Sequence, residues 1–430
     1  MIIICEPICK GISHEKVNSG FIYGLRLAFP DEKIRVYAAA THIMAIKDIL
    51  KHDNIFISDI EYRALYFVGS SSVLSIINYA FSFFRMFSEV IALNQLRVFF
   101  LSFSPEMLYI VKVLKRFSKF SQLKFAIVLH GAFENIADDL PLASAISLVR
   151  NSLPNSKENG ILRRLRRTNI KAIPKKIIRF MASKIPVFPE FDFIKEFFSV
   201  KCIMEWRHSA DFRYVTLSPH ILLNAEKFID LNKFDFYTVV LPTNFVDVTD
   251  PPDNEFVKFA IFGYGNSLVL HNIAYALEKK NIVNKYEIRV IGMDNRGTEE
   301  FANVSCPCPG RVLLRNEMEK YAVDIDIFLI LYDKTKYRLS CSGSILESMS
   351  MVKPVVHFDN DCINEFNKTT LPIGFRCYSF DEYVDKLADI IENYAAYRLT
   401  LTEYRENILK QREMLSIQKS APLLRKLFWG

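Results

Sequence analysis

The sequence contains few of the residues that mark fibrous, linker-rich or disulfide-rich proteins. Its 430 residues include only 14 glycines and 17 prolines, which argues against fibrous repeats and long flexible linkers. The eight cysteines are scattered, and no paired Cys-x-x-Cys motif or Cys/His spacing suited to zinc occurs. Cys306 and Cys308, the only close pair, are interpreted as reduced loop thiols of a cytosolic protein. Metal binding by the cysteines is not expected.

Long uncharged apolar runs are also absent. A membrane span needs about 20 nearly uncharged residues, and the best candidate, 71–94, is interrupted by Arg85, Glu89 and several serines. The first five residues, MIIIC, lack a basic region and lead directly to Glu6 and Pro7. They are interpreted as a first β-strand and not as a signal peptide. We therefore expect a soluble or peripheral protein located in the cytoplasm.

The residues that are present predict an α/β protein with more than one domain. Half of the chain is hydrophobic and 24% is charged, as in globular proteins, and its length exceeds one ordinary core. Short apolar runs alternate with longer helical patterns, which indicates β-α-β units. Strands are predicted at 2–5, 34–39, 65–68, 98–103, 125–129, 214–217, 256–262, 288–291, 325–331 and 354–358. Helices are predicted at 16–29, 41–50, 73–93, 105–117, 268–280, 344–351 and 380–393.

A linker divides the chain into two domains. The Pro- and Asp-rich segment 242–253 is the strongest turn and linker signal. It separates an N-terminal Rossmann-like domain at 1–245, with a basic insertion around 155–200, from a C-terminal one at 254–393. A helical tail at 394–430 is expected to pack back on the N-terminal domain. The expected fold is thus two Rossmann-like parallel-sheet domains that face a cleft, where such sheets bind ligands.

The most informative motif reads SCSGSILE from Ser340 to Glu347 and leads to VKPVV at 352–356. A helix that begins near Ser344 directs backbone N–H groups and a positive dipole end toward the cleft. Phosphate can approach the small residues closely, Arg338 adds a charge-assisted contact, and the Glu347 carboxylate suits vicinal ribose hydroxyls. The motif therefore predicts a nucleotide diphosphate site. The alternative is a capped helix with a solvated glutamate.

The stretch SGSILESMSMVKPVV, residues 342–356, resembles the donor-nucleotide motif of GT-B glycosyltransferases, especially family four. The resemblance covers nearly the whole chain as a series of weaker motifs in the expected order, namely VFFLSFSP at 98–105, FAIVLHG at 125–131, YVTLS at 214–218 and VLPTN at 240–244. It implies a two-domain enzyme that transfers a sugar from a nucleotide diphosphate sugar to a cell-surface polysaccharide or lipid-linked glycan. No permanently bound cofactor and no metal are expected.

The resemblance also implies the site residues. The donor-binding residues are Gly263, Gly265, Asn266, Arg338, Ser342, Gly343, Ser344 and Glu347. His130, at the end of a predicted strand, is assigned to catalysis because it faces the sugar site in the family pattern, and a strand-end structural histidine is the alternative. Glu134 is the candidate general base for the acceptor hydroxyl, and a solvated loop acid is the alternative. His14 lies where acceptors dock in such enzymes.

Two departures separate the chain from family four. The family carries a second glutamate eight residues before the ribose-binding one, and this position is Leu339 here. The first loop of the C-terminal domain, FGYGNS at 262–267, lacks the arginine and lysine that hold the diphosphate in the family. The phosphate contacts are therefore expected from backbone N–H groups or from Arg338, Lys334 and Lys336. The sequence does not predict a retaining or an inverting mechanism.

Other functions fit the motifs less well. Gly263 and Gly265 match two glycines of the dinucleotide fingerprint, but the third position is Leu268, which disfavours an oxidoreductase. Asp324 and Asp326 precede a predicted strand, whereas a metal-binding Asp-x-Asp follows one. A non-catalytic GT-B-like binding or scaffold subunit of a glycan-assembly complex remains the second hypothesis.

A basic segment at 161–180 contains eight cations and no acid, whereas the net charge of the whole chain is +7. Interleaved apolar residues make it suitable for an anionic membrane surface. A solvated insertion and nucleic-acid binding are the alternatives. Nucleic acid is not expected as a partner, because no helix-turn-helix, RNA-binding aromatic motif or zinc finger occurs.

Overall fold

The computed structural model describes residues 1–55, 59–65, 73–137, 200–240, 242–245, 253–263, 265–292, 297–311 and 313–429. The basic segment 161–180 and most of the predicted linker lie outside these residues. The membrane contact predicted for that segment is therefore not addressed by the structure. None of the helices in the described ranges is both long and apolar enough to cross a membrane.

The first half of the chain forms a seven-stranded parallel sheet with the strand order β3-β2-β1-β4-β5-β6-β7. Its strands are β1 (Ile2–Cys5), β2 (Ile34–Ala38), β3 (Ile60–Ala64), β4 (Arg97–Phe100), β5 (Lys124–Val128), β6 (Phe212–Thr216) and β7 (Asp235–Thr238). Its described helices are α1 (Glu15–Ala28), α2 (Ala40–His52), α3 (Val73–Ala92), α4 (Pro105–Leu114), α5 (Val200–Glu205) and α6 (Pro219–Ala225). The strand order reverses between β1 and β4, where open α/β sheets bind ligands.

The second half forms a six-stranded parallel sheet with the order β10-β9-β8-β11-β12-β13. Its strands are β8 (Lys258–Phe262), β9 (Glu287–Ile291), β10 (Val304–Ser305), β11 (Ile327–Ile330), β12 (Val355–Phe358) and β13 (Gly374–Cys377). Its helices are α7 (Ser267–Glu278), α8 (Arg315–Ala322), α9 (Gly343–Ser350), α10 (Asp361–Asn364) and α11 (Phe380–Glu392). The prediction of two parallel-sheet α/β domains is confirmed.

The final helices, α12 (Tyr394–Leu415) and α13 (Ile417–Trp429), connect both halves. On α12, the Gln411 side chain donates to two carbonyl groups of the C-terminal half. Helix α13 packs on α1, where Gly24 leaves room for the side chains of Ile417 and Leu424. Arg213 of β6 donates to the Leu427 carbonyl. The tail thus contacts both halves of the molecule.

Most strand predictions agree with the structure because both faces of the central strands are covered. Every residue of β1 and β2 is buried, and strands buried on both faces have nearly continuous apolar sequences. The strand predicted at 65–68 lies outside the described residues except for Leu65, which directly follows the edge strand β3 at Ala64. This edge strand is partly exposed, so its sequence, IEYRA, is less apolar than the run that follows it.

Candidate functional site

Helix α9 begins in the cleft, directly after the loop that follows β11. Ser342 caps it, because its hydroxyl oxygen accepts the backbone N–H of Ser344 at 3.2 Å. The Ser344 hydroxyl donates to the carbonyl of Phe262 at 3.2 Å and lies 2.6 Å from the Tyr332 hydroxyl. A methyl group added to Gly343 would meet no atom within 4 Å. The first turn of α9 therefore borders open space beside the ends of β8 and β11.

The turn after β8 lies next to this helix end. Gly263 has a φ of 77°, a conformation that favours glycine, and a Cβ there would lie 3.7 Å from the Ser344 hydroxyl. Asn266 caps α7, its Oδ1 accepting the N–H groups of Leu268 and Val269. Gly263 and Ser344 are thus neighbours, as the predicted donor site requires, whereas the side chain of Asn266 is used within its own helix.

Two cations share the carboxylate of Glu347, one turn into α9. Arg315 Nη1, at the start of α8, lies 2.5 Å from Glu347 Oε2. Lys16 Nζ, on α1 in the N-terminal half, lies 3.4 Å from the same oxygen and donates to the Ser350 hydroxyl at 2.7 Å. We call these three residues, Lys16, Arg315 and Glu347, the cleft triad. They join the two halves of the molecule.

The cleft triad is largely removed from water. The side chains of Lys16, Arg315 and Glu347 are 13%, 14% and 17% exposed. Burial alone would raise the pKa of Glu347, but Lys16 and Arg315 outweigh it and hold this pKa below its usual range. Burial lowers the pKa of Lys16, although Glu347 opposes the shift. Glu347 is therefore ionised, and two poorly solvated cations depend on it.

The ion pairs continue from the cleft triad along α8. Arg315 Nε lies 2.5 Å from Glu319 Oε1, and Glu319 Oε2 lies 3.0 Å from Nε2 of His52 at the end of α2. The guanidinium carbon of Arg315 also lies 5.8 Å from the ring centroid of Phe262, the last residue of β8. Arg315 is consequently fixed beside the turn that holds Gly263.

Arg338 is placed differently from Arg315. Its guanidinium carbon lies 5.7 Å from the ring centroid of Phe228 in the N-terminal half. The two cations that contact Glu347 are Lys16 and Arg315, and neither is the arginine that the sequence predicts for the diphosphate. Leu339, at the position of the second family glutamate, is fully buried.

Two side chains of the N-terminal half hydrogen-bond to the loop of the C-terminal half that carries Arg338. Both oxygens of Glu134 accept backbone N–H groups, from Arg338 at 2.7 Å and from Leu339 at 3.0 Å. His220 Nε2 lies within 3.1 Å of the carbonyl oxygens of Tyr337 and Ser340, so it donates to them. This geometry favours a positioning role for Glu134 over the predicted general-base role, because neither oxygen is free of a donor.

His130 lies just beyond β5 and against His14. The two ring centroids are 4.2 Å apart. Nε2 of His130 is buried and has no hydrogen-bond partner in the described part of the chain. Burial lowers the pKa of His130 to about 3, and His14 adds to the shift. The structure thus brings together the two histidines that the sequence places at the sugar and acceptor sites.

We expect His130 to stay neutral between about pH 5 and 8, the range in which an ordinary histidine titrates. Below about pH 6.5 the unfolded chain gains a proton at this residue that the folded protein does not accept. Stability should therefore fall with decreasing pH, by about 1.4 kcal/mol per pH unit from this group. NMR titration of labelled histidines, with His130→Gln for assignment, tests this. A midpoint near 6.5 for His130 would contradict it.

Asp324 and Asp326 form structural contacts. Asp324 pairs with Lys258 and Arg289, both at 2.6 Å, and Asp326 accepts a hydrogen bond from the Tyr394 hydroxyl at 2.8 Å. Within the described ranges, no group of three or more His, Cys, Asp or Glu residues is arranged to hold a metal ion.

Lys16 and Arg315 were not predicted from the sequence. No motif distinguishes Lys16 from the other lysines of the chain, and α8 itself was not predicted because its sequence, RNEMEKYA, is mostly polar. The indication that the sequence offers is an absence. The loop at 262–267 has no arginine or lysine, so basic residues from elsewhere in the chain have to supply the positive charge.

Comparison with known proteins identifies the fold. No protein-family profile matches the chain, and no curated protein sequence does. A glycosyltransferase from Rickettsia africae is similar in structure, with 11% identity, a TM-score of 0.56 and 99% of each chain covered. HepE of Anabaena, solved in complex with UDP, has 10% identity and a TM-score of 0.56, with 100% of this chain and 99% of HepE covered.

A plant protein has the same architecture. It is a UDP-glucosyltransferase from Polygonum tinctorium capable of glucosylating indoxyl, with 13% identity and a TM-score of 0.54. The alignment covers 100% of this chain and 98% of the plant enzyme. The chain therefore has the GT-B fold that the sequence predicts. Family-four membership and the assigned site roles stay predictions.

Proposed function

We propose that this protein is a glycosyltransferase that transfers a sugar from a nucleotide diphosphate sugar. The observation that carries the proposal is the cleft triad beside the capped start of α9. Two partly buried cations, a helix N-terminus and a carboxylate lie together at the carboxyl ends of the C-terminal strands. Cations and helix N-termini stabilise phosphates, and a carboxylate accepts hydrogen bonds from ribose hydroxyls.

The triad suggests how the donor is held. Arg315 and Lys16 supply the positive charge that the turn at Gly263 lacks. When the ribose hydroxyls hydrogen-bond to Glu347, Lys16 and Arg315 lose part of their contact with this carboxylate and bind the diphosphate instead. The charge that develops on the departing diphosphate is stabilised by groups already in place, so little reorganisation is needed.

The acceptor hydroxyl is activated by a histidine in this proposal. His14 is exposed to solvent, and its pKa is lowered by partial desolvation, with Glu6 opposing and His42 adding to the shift. His14 is therefore neutral at pH 7 and can accept the hydroxyl proton. The hydroxyl oxygen then bonds to the anomeric carbon as the bond from that carbon to the diphosphate oxygen breaks. His130 supports the ring of His14 through their ring contact.

We propose a cell-surface polysaccharide or lipid-linked glycan as the acceptor. The support is the family resemblance and the basic segment 161–180, which suits an anionic surface. Incubation with labelled donor and lipid or polysaccharide fractions of the source cells tests this proposal, since the label should move into one of them. Transfer only to small soluble acceptors would contradict it.

Donor binding separates the enzyme from the scaffold hypothesis. UDP, GDP, TDP and CMP, each as the sugar nucleotide, are tested for thermal stabilisation, and a ligand at one hundred times its Kd should add about 2.7 kcal/mol. Glu347→Gln should weaken binding by about tenfold to a hundredfold, because hydrogen bonds to a charged group are lost. Glu365→Gln is the matched control, because Glu365 lies at the end of α10 and pairs with Lys368 at 3.9 Å.

The outcomes of this experiment differ clearly. Stabilisation by one nucleotide, reduced in Glu347→Gln and kept in Glu365→Gln, supports the donor site. Stabilisation that Glu347→Gln leaves unchanged contradicts the role of Glu347. No stabilisation by any nucleotide favours a non-catalytic GT-B-like subunit.

A further inference from the structure

Helix α3 presents an apolar stripe to solvent. Ile77, Phe81 and Phe84 are 43%, 62% and 45% exposed. Their spacing of four and three residues places them within roughly 60° of the helix circumference, at about 100° per residue. We call these three residues the α3 stripe. Two exposed phenylalanines one turn apart form a continuous apolar surface.

The α3 stripe is not needed for packing of the helix. The opposite face of α3 is already anchored in the core, since Tyr79, Phe83, Met86, Phe87 and Val90 are all buried. Scattered exposed apolar residues are ordinary on proteins, whereas a contiguous patch with a polar border marks an interaction site. The stripe is therefore a candidate interaction surface.

A turn at 118–120 brings positive charge to the α3 stripe. Phe120 is buried and packs edge-on against Phe84, with ring centroids 5.3 Å apart. Lys119 Nζ consequently lies 5.8 Å from the ring centroid of Phe84 and donates to the hydroxyl of Ser88 at 3.1 Å. Ser88 continues the stripe along α3, so a cation sits at its end. Phe117, 52% exposed, adds apolar surface beside this turn.

The surrounding chain is basic. Residues 73–124 contain seven cations and two acids, and one of those acids, Glu89, already binds Tyr37 and Arg35. Arg85, Arg116, Lys119 and Lys124 are exposed. The α3 stripe is thus an aromatic surface bordered by positive charge.

We propose that the α3 stripe docks on an anionic lipid bilayer. Its rings enter the boundary between headgroups and acyl chains, while the bordering cations meet lipid phosphates. A second copy of the chain fits less well, because a two-fold contact places the same patch on both partners. Cations would then face cations. This inference does not depend on the proposed sugar transfer and rests on residues other than those of the segment 161–180.

Vesicle flotation of the full chain tests the proposal, with phosphatidylcholine vesicles that contain or lack phosphatidylglycerol. The pair Phe81→Ser and Phe84→Ser should lower partitioning to anionic vesicles by about tenfold or more, since apolar contact is lost. The pair Arg116→Gln and Lys119→Gln should lower it by about fivefold per charge. The control variants change exposed residues elsewhere, namely Val283→Ser, Leu399→Ser and Lys410→Gln.

Three results would overturn the proposal. They are equal binding to both kinds of vesicle, unchanged binding of the stripe variants, and loss of binding only when the cations of 161–180 are neutralised. A dimer in solution that Phe81→Ser and Phe84→Ser dissociate would assign the stripe to a second copy instead. Nucleotide stabilisation measured on the same variants should be retained, so failure of docking is distinguishable from failure of the donor site.

Discussion

Arg315→Ala is expected to lower kcat/KM for the sugar donor by about two to three orders of magnitude, the usual effect of removing one preorganised donor of positive charge. Arg315 is 14% exposed and fixed by Glu347 and Glu319, so in the proposed donor site it is held where charge would develop on the diphosphate. The measurement is donor turnover together with binding of the nucleoside diphosphate and of the nucleoside alone. Affinity for the diphosphate should fall, and affinity for the nucleoside should be nearly unchanged.

Arg311→Ala is the matched control for Arg315→Ala. Arg311 lies in the same segment, but its side chain is 55% exposed and pairs with Glu317. Its removal should leave turnover within about twofold, because exposed ion pairs contribute little. Denaturant unfolding of both variants is needed, since Arg315→Ala leaves Glu347 with Lys16 alone. Normal turnover in a folded Arg315→Ala protein would contradict the assignment of Arg315 to the donor site.

Gly20→Ala should destabilise the protein by about 3 kcal/mol or more, as overpacking against rigid backbone does. Gly20 lies on α1, and a methyl group there would come within 1.9 Å of the Pro242 carbonyl oxygen. The backbone at 242 joins the two halves, and α1 also carries Lys16. Denaturant unfolding measures the loss of stability, and nucleotide binding by the remaining folded fraction reports on the cleft triad.

Gly131→Ala serves as the control for Gly20→Ala. Gly131 has no atom within 4 Å of an added Cβ, so its substitution should change stability by less than about 0.5 kcal/mol, as for other substitutions away from packed features. If Gly20→Ala is as stable as the wild type, α1 and the segment at 242 can move apart to make room for the methyl group at little cost in stability.

The parts of the molecule that the sequence predicts are those whose signals come from residues close together in the chain. Strand β1 is apolar at every position because it is covered on both faces. Helix α9 could be located because its cap, Ser342, and its small first residues stand next to each other in the chain. The two-domain fold and the position of the candidate donor helix follow from such local signals.

The remainder depends on contacts between distant residues. Lys16 reaches Glu347 across 331 positions of the chain, and no periodicity encodes which lysine does so. Glu134 has the residue type of a general base, but its two hydrogen bonds come from a loop about 200 residues away. Residue type and strand-end position therefore indicate where the cleft lies, whereas the partner that each charge finds is set by the tertiary fold.

The packing of α13 on α1 has a consequence for synthesis. Ile417 and Leu424 cover Gly24, so one side of the first helix gains its neighbour only after about 400 further residues have been made. Domains generally fold as units from the N-terminus while the chain is elongated, but this first unit leaves the ribosome with a surface uncovered. We expect nascent chains that stop before 417 to be held by chaperones. Release should coincide with emergence of the last helix.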